Sequence, residues 1–240
     1  MEPMADADLP LLDALGTTRA IRRYRPDPIP EGDLATILWA ATRAPTGSNR
    51  QGVRFIVLRD GPVALRARHL LAEGARTLWS DKRDRDGYGS GSGALDDSPK
   101  ARMARTMDHF VQHFHEAPVI VLGCLWLHRK PTLEMGGHLF PACQNLLLAA
   151  RALGYGGVLT GFHNYCGDEL RDVLGLPPAD EVALGCTIPL GVPAGQHGPV
   201  RRRPLREVVY EDRWEGDAPW ALDPEGSRFT APGPPSGLRK

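Results

Sequence analysis

From His138 to Leu153 the chain reads HLFPACQNLLLAARAL, a helix that is apolar on most of its circumference. Such a helix has no wide polar face to give to water, so it must be covered on several sides. Just upstream, Ala117–Trp126 (APVIVLGCLW) is almost continuously apolar and reads as a strand central in a sheet. In a chain of 240 residues the helix has two coverings open to it. It is either the central helix of one monomer or partly covered by a second subunit.

The rest of the chain supplies elements to build around this pair. Residues 9–16 predict a short helix, and 17–30 (TTRAIRRYRPDPIP) a basic, then Pro-rich extended arm. Residues 31–43 predict a helix with Leu34, Ile37, Leu38 and Ala41 on one face. A loop at 44–49 (APTGSN) leads into a strand at 53–59, and 62–79 predict a helix. Residues 80–98 are charged, then Gly/Ser-rich, and a helix runs on to about His115. Here the expectation is a mobile lid at about 80–115, with Phe110, His113 and Phe114 as its cover. Residues 154–161 form a turn and short strand, 182–190 a further strand, and 200–206 a second basic cluster. No internal repeat is visible. The expected organisation is one domain over 1–214 and an irregular tail over 215–240.

Charge narrows the function. Lys+Arg and Asp+Glu both number 29, so no overall basic field draws nucleic acid, and any anion site is a local cluster. The acidic N-terminus has no segment of signal length, and no run reaches the ~18 apolar residues of a membrane span. Cys124, Cys143, Cys166 and Cys186 contain no Cys-x-x-Cys pair. The expectation is a cytoplasmic protein with free thiols and no metal.

Two arginine groups stand out in this neutral chain: Arg19, Arg22, Arg23 and Arg25, then Arg201, Arg202, Arg203 and Arg206. Guanidinium forks match phosphate oxygens, so remote clusters can converge on one phosphate; they can equally be two solvated patches. Alternation along an extended strand predicts that Arg201 and Arg203 share a face and Arg202 does not. The loop Pro45-Thr46-Gly47-Ser48-Asn49-Arg50-Gln51 offers small residues and hydrogen-bonding groups to a flat ligand, or is an ordinary helix-to-strand turn. Gly154, Gly156 and Gly157 follow a helix and precede a strand, the reverse of a dinucleotide fingerprint. His109 and His113 lack the Glu of a zinc-protease helix, and no Gly-x-Ser-x-Gly elbow occurs.

In order along residues 11–214, these pieces resemble the nitroreductase family of flavin-dependent oxidoreductases. The resemblance rests on TTRAIRRYRPDPIP, ATRAPTGSNRQGVRFIVLRD, the buried helix followed by LGYGGVLTGF, and the RRRPLREVVYEDRW close. It implies an α+β fold, a central mostly antiparallel sheet flanked by helices, in an intertwined homodimer binding FMN. Arg19 and Arg22 match basic positions of the family's opening phosphate motif, while Thr18 stands where Arg is usual and Ala20, at a cofactor-binding position, where Ser is usual. Arg201 and Arg203 match its C-terminal basic pair. Pro45, Thr46, Gly47, Asn49 and Gln51 match the loop that reaches the neighbouring subunit's flavin. Thr160 and Gly161 match the strand beside the flavin's reactive nitrogen. The implied chemistry is ping-pong hydride transfer from NADH or NADPH through FMN to a small-molecule acceptor such as a nitroaromatic or quinone, with no protein side chain assigned as catalytic. The other readings are a flavin-dependent relative with dehalogenating or flavin-destroying chemistry, and a non-enzymatic flavin-binding or storage protein.

Overall fold

The structure is a computed structural model and describes residues 9–95, 97–130 and 132–230. Residues 1–8 and the tail beyond 230 lie outside the described residues. In chain order the elements are α1 (Leu11–Thr17), α2 (Glu31–Ala41), β1 (Val53–Leu58), α3 (Pro62–Arg85), α4 (Pro99–Gln112), β2 (Val119–Trp126), α5 (Leu133–Ala152), β3 (Gly156–Gly157), α6 (Gly167–Leu174), β4 (Val182–Gly191), β5 (Arg201–Arg202) and β6 (Arg228–Phe229). The main sheet has the order β1-β2-β4-β3, with every pairing antiparallel. The fold is the expected α+β arrangement.

β2 is the central strand that its apolar run predicts, and its alternate residues serve two cores. Ile120, Leu122 and Cys124 pack with Leu71 of α3 and Phe110 of α4. Val119 and Val121 pack on the other face with Ile37 of α2 and Leu146 of α5. Burial of each such side chain contributes about 1.5–3 kcal/mol relative to exposure. β4 divides its residues differently. Val182 and Leu184 belong to the first core, while Cys186, Ile188 and Leu190 belong to the second. A bulge opposite Gly123/Cys124 inserts Gly185 and reverses the alternation there.

α5 buries Leu139, Cys143, Leu146 and Ala150 at spacings of three and four, the periodicity of one helical face. Its opposite side is open, where Phe140 is 46% exposed.

The charged run after Trp79 does not end α3, which continues to Arg85. Asp108 of α4 explains why. One of its carboxylate oxygens accepts from Trp79 Nε1 at 2.7 Å and from Arg83 at 2.6 Å, fastening the polar end of α3 to α4. Among the described residues the irregular stretch is therefore narrower than the sequence predicts, 86–95 and 97–98. The aromatic cover assigned to a lid is also corrected. Phe110 and Phe114 are 2% and 1% exposed and pack edge-on against each other and around Phe162 in the first core. A helix in this position spends its apolar face on the sheet, leaving His113 exposed at its end.

Gly74 sets the distance between α3 and the turn at Phe162–Tyr165. A Cβ there would stand 2.5 Å from the Phe162 carbonyl oxygen. Helix propensity alone favours Ala by roughly 0.5–1 kcal/mol. The clash is with backbone, so overpacking outweighs it. Gly74→Ala is expected to destabilise the protein by about 1–3 kcal/mol in urea titration. A variant as stable as the parent would show that the two elements separate at little cost.

Candidate functional site

The basic arm is built into the protomer by backbone pairing. Ile21 N–H donates to Gly157 O at 3.1 Å, Arg25 N–H to Val192 O at 2.9 Å and Ala194 N–H to Arg23 O at 3.0 Å. Gly198 and Val200 N–H groups donate to Thr17 and Gly16 at 3.0 and 2.9 Å. The arm thus lies along residues 192–200, and the two arginine clusters meet. They line one open cleft of about 590 Å³, with Thr18, Arg19, Ala20 and Arg22 on one wall and Arg201, Arg202 and Arg228 on another.

Among the described residues, no Asp or Glu lines this cleft. None of its five arginines forms an ion pair among the described residues. Burial pushes the guanidinium of Arg22 down from its ordinary value, with smaller opposing effects from Tyr24 and Tyr88. It remains a cation, since arginine does not deprotonate in proteins. Unneutralised guanidinium groups around one cavity are a site for a multiply charged oxyanion.

The structure places Arg202, not Arg203, on the cleft. Arg203 is engaged by Glu207 at 2.9 Å, within the turn that follows Pro204. β5 is only two residues long, so strand alternation does not carry through to residue 203. Arg228 has no warning in the sequence. It arrives on β6, which pairs parallel with β5 and sets Arg201 opposite Arg228.

The 45–51 loop forms a second cleft of about 160 Å³, lined in part by Thr46, Gln51, Arg54 and His138. Pro45, Gly47 and Asn49 are not on its lining; Pro45 and Asn49 are exposed. Ser48, Asn49 and Gln51 hold φ of 53°, 50° and 51°. Left-handed backbone costs a non-glycine residue roughly 1–2 kcal/mol, so the surroundings must impose it. Thr46 Oγ1 accepts from Gln51 N–H at 3.0 Å, and His138 Nε2 accepts from Gly47 N–H at 3.3 Å. His138 is a further residue that sequence reasoning missed, because its partner lies 91 positions away.

Thr160 and Gly161 follow β3. Thr160 exchanges backbone hydrogen bonds with Thr187 at 2.8 and 2.9 Å, and its hydroxyl donates to Thr187 O at 3.0 Å. Beneath them Thr187 Oγ1 lies 3.4 Å from Nδ1 of the buried His163. Burial holds His163 below its ordinary pKa, so it is neutral near pH 7. Thr160 thus spends both backbone groups on Thr187, and Gly161 O accepts from Asn164 N–H at 3.1 Å, so the segment is braced and half-buried. Thr160 and Gly161 line neither cleft, and the two clefts share no lining residue. The chain therefore presents an arginine-lined cleft, a strained loop and a braced strand end as three separate surfaces. Among the described residues no cluster of His, Cys, Asp and Glu is arranged to hold a metal ion, and no helix is long and apolar enough to cross a membrane.

Comparison with known proteins agrees on one lineage. A family model described as Nitroreductase family matches residues 15–192. The chain is similar to a NADH dehydrogenase of Thermus thermophilus, 32% identical over 223 residues, covering 85% of this chain and 98% of the relative. Among solved structures it is similar to a putative nitroreductase in complex with FMN from Desulfovibrio desulfuricans. That likeness has a TM-score of 0.62 at 30% identity, covering 85% of this chain and 98% of the other. A mutant FMN- and NADPH-dependent nitroreductase from a Sphigopyxis strain gives a TM-score of 0.65 at 21% identity, covering 87% and 100%.

Proposed function

The chain belongs to the nitroreductase family, and from that premise we propose that it is an FMN-dependent NAD(P)H oxidoreductase acting on a small electron acceptor. The observation that carries the reading is the arginine cleft, where five guanidinium groups face one cavity without a carboxylate among its lining residues. FMN ends in a single phosphate dianion, which fits that lining, and the chain has no dinucleotide fingerprint to favour FAD. Arg19, Arg22, Arg201 and Arg202 hold the phosphate in charge-assisted hydrogen bonds. The chemistry that bound FMN supplies is hydride transfer, in from NADH or NADPH and out to an acceptor such as a quinone or nitroaromatic.

The remaining residues position and select. Thr160 and Gly161 would border the isoalloxazine as a braced, half-buried surface. Thr46, Gly47, Asn49 and Gln51 complete the pocket from a partner subunit, their strained loop held by His138. An obligate homodimer is supported by the apolar side chains left on the α1, α2 and α5 surfaces, with Leu12 78%, Trp39 61% and Phe140 46% exposed. Burying such residues is the main favourable contribution to an obligate interface. Four free cysteines fit a cytosolic setting.

The test is direct. Denatured protein should release FMN, identified by mass, and the holoprotein should turn over NADH or NADPH with parallel double-reciprocal plots against acceptor concentration. Release of FAD, or a protein that neither carries nor takes up flavin, would sink the proposal.

A further inference from the structure

We propose that Arg228, carried by the tail strand β6, clamps the terminal phosphate of FMN, so that phosphate binding and docking of the tail are one event. This rests on the FMN reading above but concerns a segment outside the 15–192 family match.

β5 and β6 form a separate parallel ribbon of two residues each. A two-stranded ribbon of this size is marginal in water even without opposing charge. Here the register sets Arg201 beside Arg228, and in-register neighbours of a parallel pair project from the same face. Like charges placed directly opposite destabilise a strand pair. Among the described residues nothing relieves them: Arg228 has no ion pair, and the cleft it lines has no acidic side chain. A dianion between the two guanidinium groups turns that repulsion into attraction and closes the ribbon.

The tail is otherwise held in a way that suits such a strap. Leu205 N–H donates to Asp223 Oδ1 at 3.1 Å, and Ala221 is buried, which fixes the tail's middle. Beyond that anchor, β6 rests on its pairing with β5 and on the Thr230 N–H to Arg202 O bond at 3.0 Å. Its Phe229 is 42% exposed and adds little packing. Residues 228–230 are thus positioned by backbone contacts to β5, and Arg228 is the charged side chain they bring to the cleft.

The experiment compares FMN with riboflavin, which lacks the phosphate, on apoprotein prepared from the full chain. Arg228→Ala should raise the Kd for FMN about tenfold or more and leave the Kd for riboflavin unchanged. Arg228→Lys, which keeps the charge but not the fork, should fall between the two. FMN, but not riboflavin, should slow tryptic cleavage after Arg228 in the unmutated chain. Equal FMN affinity for Arg228→Ala and the parent overturns the clamp, as does an equal loss for FMN and riboflavin. A change confined to the KM for NADPH would also overturn it, in favour of a nucleotide phosphate. If the parent binds no FMN, the functional reading fails, and inorganic phosphate then decides the clamp. Phosphate should raise the melting temperature of the parent above a chloride control of equal ionic strength, and not that of Arg228→Ala; the same response in both proteins overturns it.

Discussion

Replacing Arg68 with Met is expected to lower stability by about 3–5 kcal/mol, a large share of what holds an ordinary domain folded. Arg68 lies on α3 and is 5% exposed. Its guanidinium donates to four carbonyl oxygens: Ala117 at 2.7 Å, Leu58 at 2.9 Å, Pro118 at 3.0 Å and His115 at 3.1 Å. Leu58 closes β1, and residues 115–118 lead into β2, so one side chain ties α3 to the ends of two adjacent strands. Burial pushes its pKa down, with Asp60 only partly compensating, yet an arginine stays charged. Met keeps much of the volume and removes every donor, so each of the four carbonyls loses its bond to the guanidinium. Each loses a bond to a charged group, worth about 1.5–3 kcal/mol singly and less than additive together. Lys has donors on one atom and cannot span the four acceptors, so Arg68→Lys should recover only part of the loss. Urea midpoints of the three holoproteins measure it. A Met variant within about 1 kcal/mol of the parent would mean that the cost of desolvating the cation cancels its bonds.

Arg68 also shows where sequence reading stops. β2 and α5 were legible because their apolar patterns are long and local. Arg68 sits in an amphipathic helix among other arginines, and nothing near it announces four acceptors from residues 58 and 115–118. The bulge at Gly185 was hidden for a similar reason. The run VALGCTIPL reads as one strand, and only pairing with β2 reveals that Val182 and Ile188 face opposite cores. α6 was not predicted at all; it is eight residues long, ending at Gly175, whose φ of 61° suits a left-handed cap. The charged end of α3 looked like loop because its stabilising partner, Asp108, belongs to another element. Of the residues that line the arginine cleft, Arg19, Arg22 and Arg201 were legible as clusters, since charge density needs no tertiary knowledge. The choice between Arg202 and Arg203 turned on a local ion pair to Glu207, and Arg228 on a strand pairing across the tail.

Arg22→Ala should weaken FMN binding by about 10–150-fold, and Arg203→Ala by much less than tenfold. The difference comes from what each guanidinium does before a ligand arrives. Arg22 is half-buried, has no ion pair among the described residues, and already bears the cost of partial desolvation. An incoming phosphate therefore meets a cation whose field is weakly screened, and little further water must be stripped from it. The arm that carries it is fixed by the Ile21 and Arg25 backbone bonds, so little side-chain or backbone freedom is lost on binding. Arg203 is committed to Glu207 at 2.9 Å, and any contact with phosphate must compete with that carboxylate. Removing it loses a partly exposed i,i+4 pair, worth about 0.3–0.5 kcal/mol. Quenching of flavin fluorescence on titrating each apoprotein gives both constants. Riboflavin is the control, and the Arg22 effect should vanish with it, because the proposed contact is to the phosphate alone. An Arg203→Ala loss equal to that of Arg22→Ala would place the phosphate on the Glu207 side of β5 and move the site away from the cleft.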